Sequence, residues 1–188
     1  DWESVVHKEL HPEDQINVAF VGKYLDLLDA YKSLIEAIKH AGIHSSTKVD
    51  VHFLDAEDLE TGNDSLLKTA DAILVPGGFG GRGFEGKIAA ARYARVNRIP
   101  YLGICYGLHA AVIDIARSCG GLEGAHSAEI VENPEHPVIA LITEWTDQAG
   151  KQETREESSD LGGTMRLGEQ VCVINQGCLA EKVYGTTV

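Results

Sequence analysis

Short apolar runs alternate along the chain with stretches in which apolar side chains recur every three or four positions, the two periodicities that separate strands from amphipathic helices. Ile16 to Val21 reads as a strand ending at Gly22. Ala30 to Ala41 reads as a helix with an apolar face of Leu34, Ile35, Ala37 and Ile38, Asp29 as its N-cap and Gly42 as its carboxyl-terminal stop. Val49 to Leu54 alternates as a second strand, and Asp71 to Pro76 is a third that runs into the loop Gly77 to Gly83. Phe84 to Val96 carries Ile88, Ala91 and Ala94 at helical intervals, Ile99 to Ile104 is a fourth strand, and Ala110 to Arg117 continues another helix. This alternation predicts an α/β fold of three layers, a mostly parallel central sheet with helices on both faces. In such sheets, ligands gather at the carboxyl ends of the strands.

Two of those ends are unusual. The fourth strand delivers Leu102-Gly103-Ile104-Cys105-Tyr106-Gly107, a cysteine between glycines at a strand-to-helix turn, which reads as a nucleophile elbow. Small neighbours let the chain pass close on both sides, and the amino end of the following helix favours thiolate and can hold a developing oxyanion. The alternative is a small apolar residue closing a core strand. The third strand ends in seven residues of which five are glycine, a loop able to turn backbone N–H groups toward an anion. No Gly-Lys-Ser/Thr follows it, and a dinucleotide fingerprint would open the first βα unit and not the third. The loop therefore reads as half of an oxyanion hole, donating an N–H opposite that of Tyr106; the plain alternative is a tight turn.

Charge narrows the partners. Sixteen basic against 29 acidic residues give a net charge of −13 in 188 residues, which argues against nucleic acid or an anionic membrane as partner. No apolar run reaches the ~20 residues that span a bilayer, and Asp1-Trp2-Glu3-Ser4 does not begin like a signal peptide, so a cytoplasmic location is expected. Cys105, Cys119, Cys172 and Cys178 form no CxxC pair and read as free thiols, with no metal site.

Pro76-Gly77-Gly78-Phe79-Gly80 followed by Gly103-Ile104-Cys105-Tyr106-Gly107 resembles the class I glutamine amidotransferases. Gly22-Lys23-Tyr24, Asp29-Ala30-Tyr31-Lys32-Ser33, Phe79-Gly80-Gly81-Arg82-Gly83 and, most specifically, Ser159 to Gly168 (SDLGGTMRLG) are similar to the glutaminase domain of CTP synthases. The likeness runs from about Ile16 to the carboxyl end, with residues 1–15 expected to be a linker from a preceding domain and 16–188 one amidotransferase domain. The resemblance implies a flavodoxin-like version of the fold. It also implies that Cys105 attacks the side-chain amide of L-glutamine, that Gly78 and Tyr106 hold the oxyanion through their N–H groups, and that Glu129 receives the substrate's α-amino group. Arg82, Gly83 and Glu85 match a lid through which GTP activates the family; read on chemistry alone, Arg82 and Glu85 are equally a solvated pair. The domain itself is expected to need no cofactor. ATP, UTP and magnesium belong to an amidoligase domain of the same polypeptide, and the parent is expected to be a homotetramer.

Departures accompany the matches. The family's elbow reads Cys-Leu-Gly-Met-Gln, against Cys105-Tyr106-Gly107-Leu108-His109 here. Tyr106 is expected to lend only its backbone. His109 stands where a glutamine contacts substrate, with a different hydrogen-bonding reach, and one helical turn from Cys105 it is also a candidate base. The family's His-Pro-Glu segment and its substrate-gripping arginine stretch have no match before Val188, so the domain is expected to be incomplete and inactive alone. His126 reads as a loop residue, His136 as a turn residue, and Glu153, Glu156 and Glu157 as a solvated loop. Two other function classes remain open: a non-catalytic regulatory module of the same fold, and another elbow-cysteine enzyme such as a γ-glutamyl hydrolase.

Overall fold

The protein is described by a computed structural model that covers residues 2–23, 25–140, 144–146, 152–154 and 171–186, with the side chains of 26–28, 144–146 and 152–154 left aside. The described residues fall into two compact units, residues 1–141 and 142–188. The Ser159 to Gly168 motif, Tyr24, Glu156 and Glu157 lie outside the described residues.

The first unit opens with helix α1 (Trp2–Leu10) in the segment expected to be a linker. It docks on helix α2 (Lys32–His44) through Glu9 to Lys39 at 2.7 Å and Lys8 Nζ donating to the His44 carbonyl at 3.1 Å. Strands β1 (Asp14–Gly22), β2 (Thr47–Asp55), β3 (Ala72–Val75) and β4 (Tyr101–Gly103) form one sheet in the order β2-β1-β3-β4, every pairing parallel. Each strand thus returns through a crossover, and the carboxyl ends of β1, β3 and β4 come to one edge.

Alternation along β1 builds both faces. Val18 and Phe20 join Tyr31, Leu74 and the partly buried Leu34, Ile35 and Ile38 of α2, whereas Ala19 and Val21 join Leu54, Ile73, Val75 and, from helix α4 (Phe84–Asn97), Ala90 and Ala94. The small α4 residues let that helix approach the sheet closely. Helix α5 (Tyr106–Ser118) packs on α4 through Phe84, Ile88, Tyr106, Ala110 and Ile113. Arg95 clamps the same pair of helices, donating to Asp114, which is 2% exposed, at 2.7 and 3.2 Å.

Several local expectations are corrected. A 3₁₀ turn occupies Leu25–Tyr31, so Asp29 does not cap a helix; α2 begins at Lys32 with Tyr31 at its N-cap. Gly42 lies inside α2 and not beyond its end, because a Cβ there would stand 2.6 Å from the Thr47 carbonyl. A short helix α3 (Ala56–Glu60), capped by the Asp55 carboxylate accepting the Glu57 N–H, follows β2. His126 and His136 belong to strands, β5 (Ala125–Ser127) and β6 (His136–Ile139), which pair in parallel.

In the second unit, β7 (Glu144–Thr146) and β8 (Gln152–Thr154) pair antiparallel, placing Glu153 in a strand opposite Trp145 and not in a loop. Helix α6 (Leu179–Tyr184) follows. Among the described residues, no helix is long and apolar enough to cross a membrane.

Candidate active site

Cys105 sits between β4 and α5 with φ 54° and ψ −109°, a backbone conformation that side-chain-bearing residues rarely adopt and that only a well-braced turn retains. The bracing is visible. A Cβ on Gly107 would lie 2.0 Å from the Val75 carbonyl oxygen, and one on Gly103 would lie 2.5 Å from the Gly107 carbonyl, so both positions admit hydrogen alone. The Tyr101 hydroxyl donates to the Gly107 carbonyl at 2.7 Å, and the Gly107 and His109 N–H groups close the first turn on the Ile104 and Cys105 carbonyls at 3.0 and 3.1 Å. Cys105 itself is exposed and free, as are Cys119 and Cys172; Cys178 is free and half-buried.

The glycine loop lies against this elbow. A Cβ on Gly77 would stand 3.4 Å from Cys105 Cβ and 3.8 Å from its Sγ, which brings the ends of β3 and β4 together as the sequence reading requires. Among the described residues, none accepts a hydrogen bond from the Gly78 or Tyr106 N–H. These two donors are the ones the resemblance assigns to an oxyanion.

Tyr106 does more than lend its backbone, a correction to the sequence expectation. Its ring is 6% exposed, meets Phe84 edge-on at 5.2 Å and faces His109 at 5.6 Å, and its hydroxyl accepts the Gly80 N–H at 3.2 Å. Burial raises the phenol above its ordinary range, the Gly80 N–H opposes this, and electrostatic interaction with Glu129 and Cys105 adds to the rise. Glu129 is exposed in the turn after β5, its N–H held by Ser127 Oγ at 3.2 Å. His109 is half-buried, and among the described residues its Nδ1 is buried without a hydrogen-bond partner.

Arg82 and Glu85 do not pair with each other. Arg82 donates to Glu57 at 2.9 Å, while Glu85 accepts from both terminal nitrogens of Arg117 at 2.8 and 3.0 Å and meets His126 Nε2 at 3.1 Å. Arg117 also donates through Nε to the Ala125 carbonyl at 2.8 Å, tying β5, and with it the Glu129 turn, to α4 and α5.

Sequence reasoning missed Lys87, which it did not single out. It is 1% exposed beneath the loop, Nζ donating to the Pro76 carbonyl at 3.2 Å and lying 3.5 Å from that of Gly77. Burial, with repulsion from Lys23, pulls its ammonium down to about 8, and Cys105 acts in the opposite sense. The signal was its place: Lys87 falls between Gly86 and Ile88 on the helical face that Ile88, Ala91 and Ala94 turn inward.

The glutamine amidotransferase class-I family model matches residues 26–187. The chain belongs to the class-I glutamine amidotransferases. Among solved structures, the glutaminase domain of Trypanosoma brucei CTPS with bound acivicin is similar to this amidotransferase at 40% identity, with a TM-score of 0.64 over 67% of the present chain. The present chain spans about half the length of that one, 50% of it. The amidotransferase assignment accounts for the parallel sheet and for the cysteine at its edge, and the expectation of a likeness to CTP synthase glutaminase domains is met by that structure.

Proposed function

We propose that this chain is the glutaminase part of a CTP synthase, hydrolysing L-glutamine at Cys105 to supply ammonia for the ATP-dependent amination of UTP. The observation that carries the reading is the exposed Cys105 in its strained elbow against Gly77, in a chain whose relative at 40% identity is a CTPS glutaminase domain.

An amide is a poor acyl donor, so the reaction needs a strong nucleophile, a held oxyanion and a proton for the leaving nitrogen. The Cys105 sulfur forms a bond to the carboxamide carbon as the carbonyl electron pair moves onto oxygen, where the Gly78 and Tyr106 N–H groups receive it. Collapse breaks the C–N bond, the nitrogen leaves as ammonia with the proton that the thiol gave up, and a γ-glutamyl thioester remains; water then adds to its carbonyl, releasing glutamate and returning a proton to the thiol. Glu129 pairs with the substrate's α-ammonium, and His109 stands where the family offers an amide. His109 is assigned to substrate and not to the role of base, since an elbow cysteine usually takes its base from a loop farther down the chain.

The whole protein's needs follow as part of the same proposal: an amidoligase domain holding ATP, UTP and magnesium, a homotetrameric assembly, a cytoplasmic site of action, and GTP acting at Arg82, Gly83 and Glu85. A γ-glutamyl electrophile is expected to label Cys105 in the full-length protein, and Cys105→Ala to abolish ammonia release from glutamine. A folded protein whose Cys105 resists labelling favours a regulatory module, and a preference for γ-glutamyl peptides over glutamine favours a γ-glutamyl hydrolase.

A further inference from the structure

The peptide between Gly77 and Gly78, like that between Gly80 and Gly81, has no Cβ on either side, so no side chain hinders its rotation as a unit. Its two polar groups cannot be set independently. The chain contains no cis peptide among its described residues, and in a planar trans peptide the C=O and N–H point in opposite directions. Whatever holds the Gly77 carbonyl therefore also aims the Gly78 N–H.

Lys87 Nζ is in that place. It lies 3.5 Å from the Gly77 oxygen and hydrogen-bonds the Pro76 oxygen at 3.2 Å; it also stands 3.3 Å from where a Gly78 Cβ would be and 5.9 Å from the centre of the Tyr106 ring. A buried ammonium is costly to desolvate, and an apolar side chain would fill the same space with less penalty. Its presence calls for a role beyond packing.

We propose that Lys87 is a positioning residue for the oxyanion hole, engaging the carbonyls of Pro76 and Gly77 so that the Gly78 N–H faces the opposite side of the loop, where the substrate oxyanion forms. This rests on the reading of glutamine hydrolysis at Cys105. The competing role for the same cation is to favour the Cys105 thiolate, and the two separate chemically. Alkylation by iodoacetamide needs the thiolate and no oxyanion donor, whereas acyl transfer from glutamine needs both.

The test uses the full-length protein and Lys87→Met, which keeps the length and removes the donor. Glutamine hydrolysis and site-resolved alkylation of Cys105 are followed side by side by ammonia release and peptide mass spectrometry. The expected result is a fall in kcat of about tenfold or more, toward the hundredfold typical of losing one oxyanion donor. KM and the alkylation rate should stay within about twofold, since neither depends on that donor. A kcat within about twofold of the parent overturns the proposal, and so does alkylation falling in step with kcat. Lys87→Leu, apolar and shorter and likewise without a donor, is judged by the same two rates if the methionine variant does not fold. An unsubstituted protein that leaves glutamine intact overturns the functional reading, and this role with it, by a separate result.

Discussion

The hydroxyl of Tyr106 accepts the Gly80 N–H at 3.2 Å, which fastens the glycine loop after β3 to the first turn of α5, the helix that carries the elbow. Two segments that share one oxyanion under the proposed function are thus joined by a side chain as well as by packing. Tyr106→Phe keeps the ring among Phe84 and His109 and removes only the bond. A stability loss of about 1 kcal/mol is expected, the usual net worth of one hydrogen bond. Activity should suffer more than stability, with kcat for glutamine falling several-fold; equal kcat in the two proteins would show that the latch has no part in the reaction.

Cys105 at φ 54° holds strain that glycine would not feel. Relief is worth about 1–3 kcal/mol, against about 0.5–1 kcal/mol for the extra freedom of glycine in the unfolded chain. Cys105→Gly is therefore expected to raise unfolding stability by about 1 kcal/mol while eliminating turnover. Cys105→Ala should eliminate turnover with no such gain. Denaturant unfolding of the two variants decides the point, and equal stability would remove the claim of strain.

Burial that draws Lys87 down to about 8 leaves the folded protein with fewer bound protons than the unfolded chain between that value and the ordinary lysine value. Stability then rises with pH across this window, and the burial penalty is fully present below it. At neutral pH Lys87→Met is expected to be more stable than the parent by up to about 3 kcal/mol, with the advantage shrinking from pH 8 toward pH 10. Urea unfolding at pH 7 and at about pH 9.5 measures it; a gap that does not change with pH contradicts the assignment. A variant that gains stability as it loses turnover would mark Lys87 as retained for activity.

Glu85 is held below the usual carboxylate range, chiefly by the Arg117 hydrogen bonds and secondarily by the charges of Arg117 and His126. A depressed carboxylate contributes stability above its unfolded value and loses it as pH falls through the folded one. The melting temperature of Glu85→Gln should lie below that of the parent at neutral pH, with the difference closing below about pH 4. A constant difference across that range would mean the network acts through shape and not through charge.

Much of the first unit was legible because its signals are local. Alternating apolar runs located all four sheet strands, and the glycines around Cys105 marked the elbow, since only a close approach of backbones demands them. What escaped depended on contacts distant in sequence. Gly42 resembles a helix stop until the Thr47 carbonyl is seen beside it. His126 and His136 read as loop and turn residues because the strands that contain them are three and four residues long and, among the described residues, pair only with each other. Lys87 is the sharpest case, for a lysine's letter announces solvent and only the fold places it under the loop. The Tyr106 side chain was overlooked because a backbone role already accounted for its position.

At Gly103 and Gly107, β3, β4 and α5 meet with only hydrogen atoms between their backbones. A thiol mounted on that junction inherits the stiffness of the sheet rather than the compliance of a surface loop. Surrounding turns can drift and change what arrives at the sulfur without moving the sulfur, whereas a single methyl group added at the junction would dislodge it.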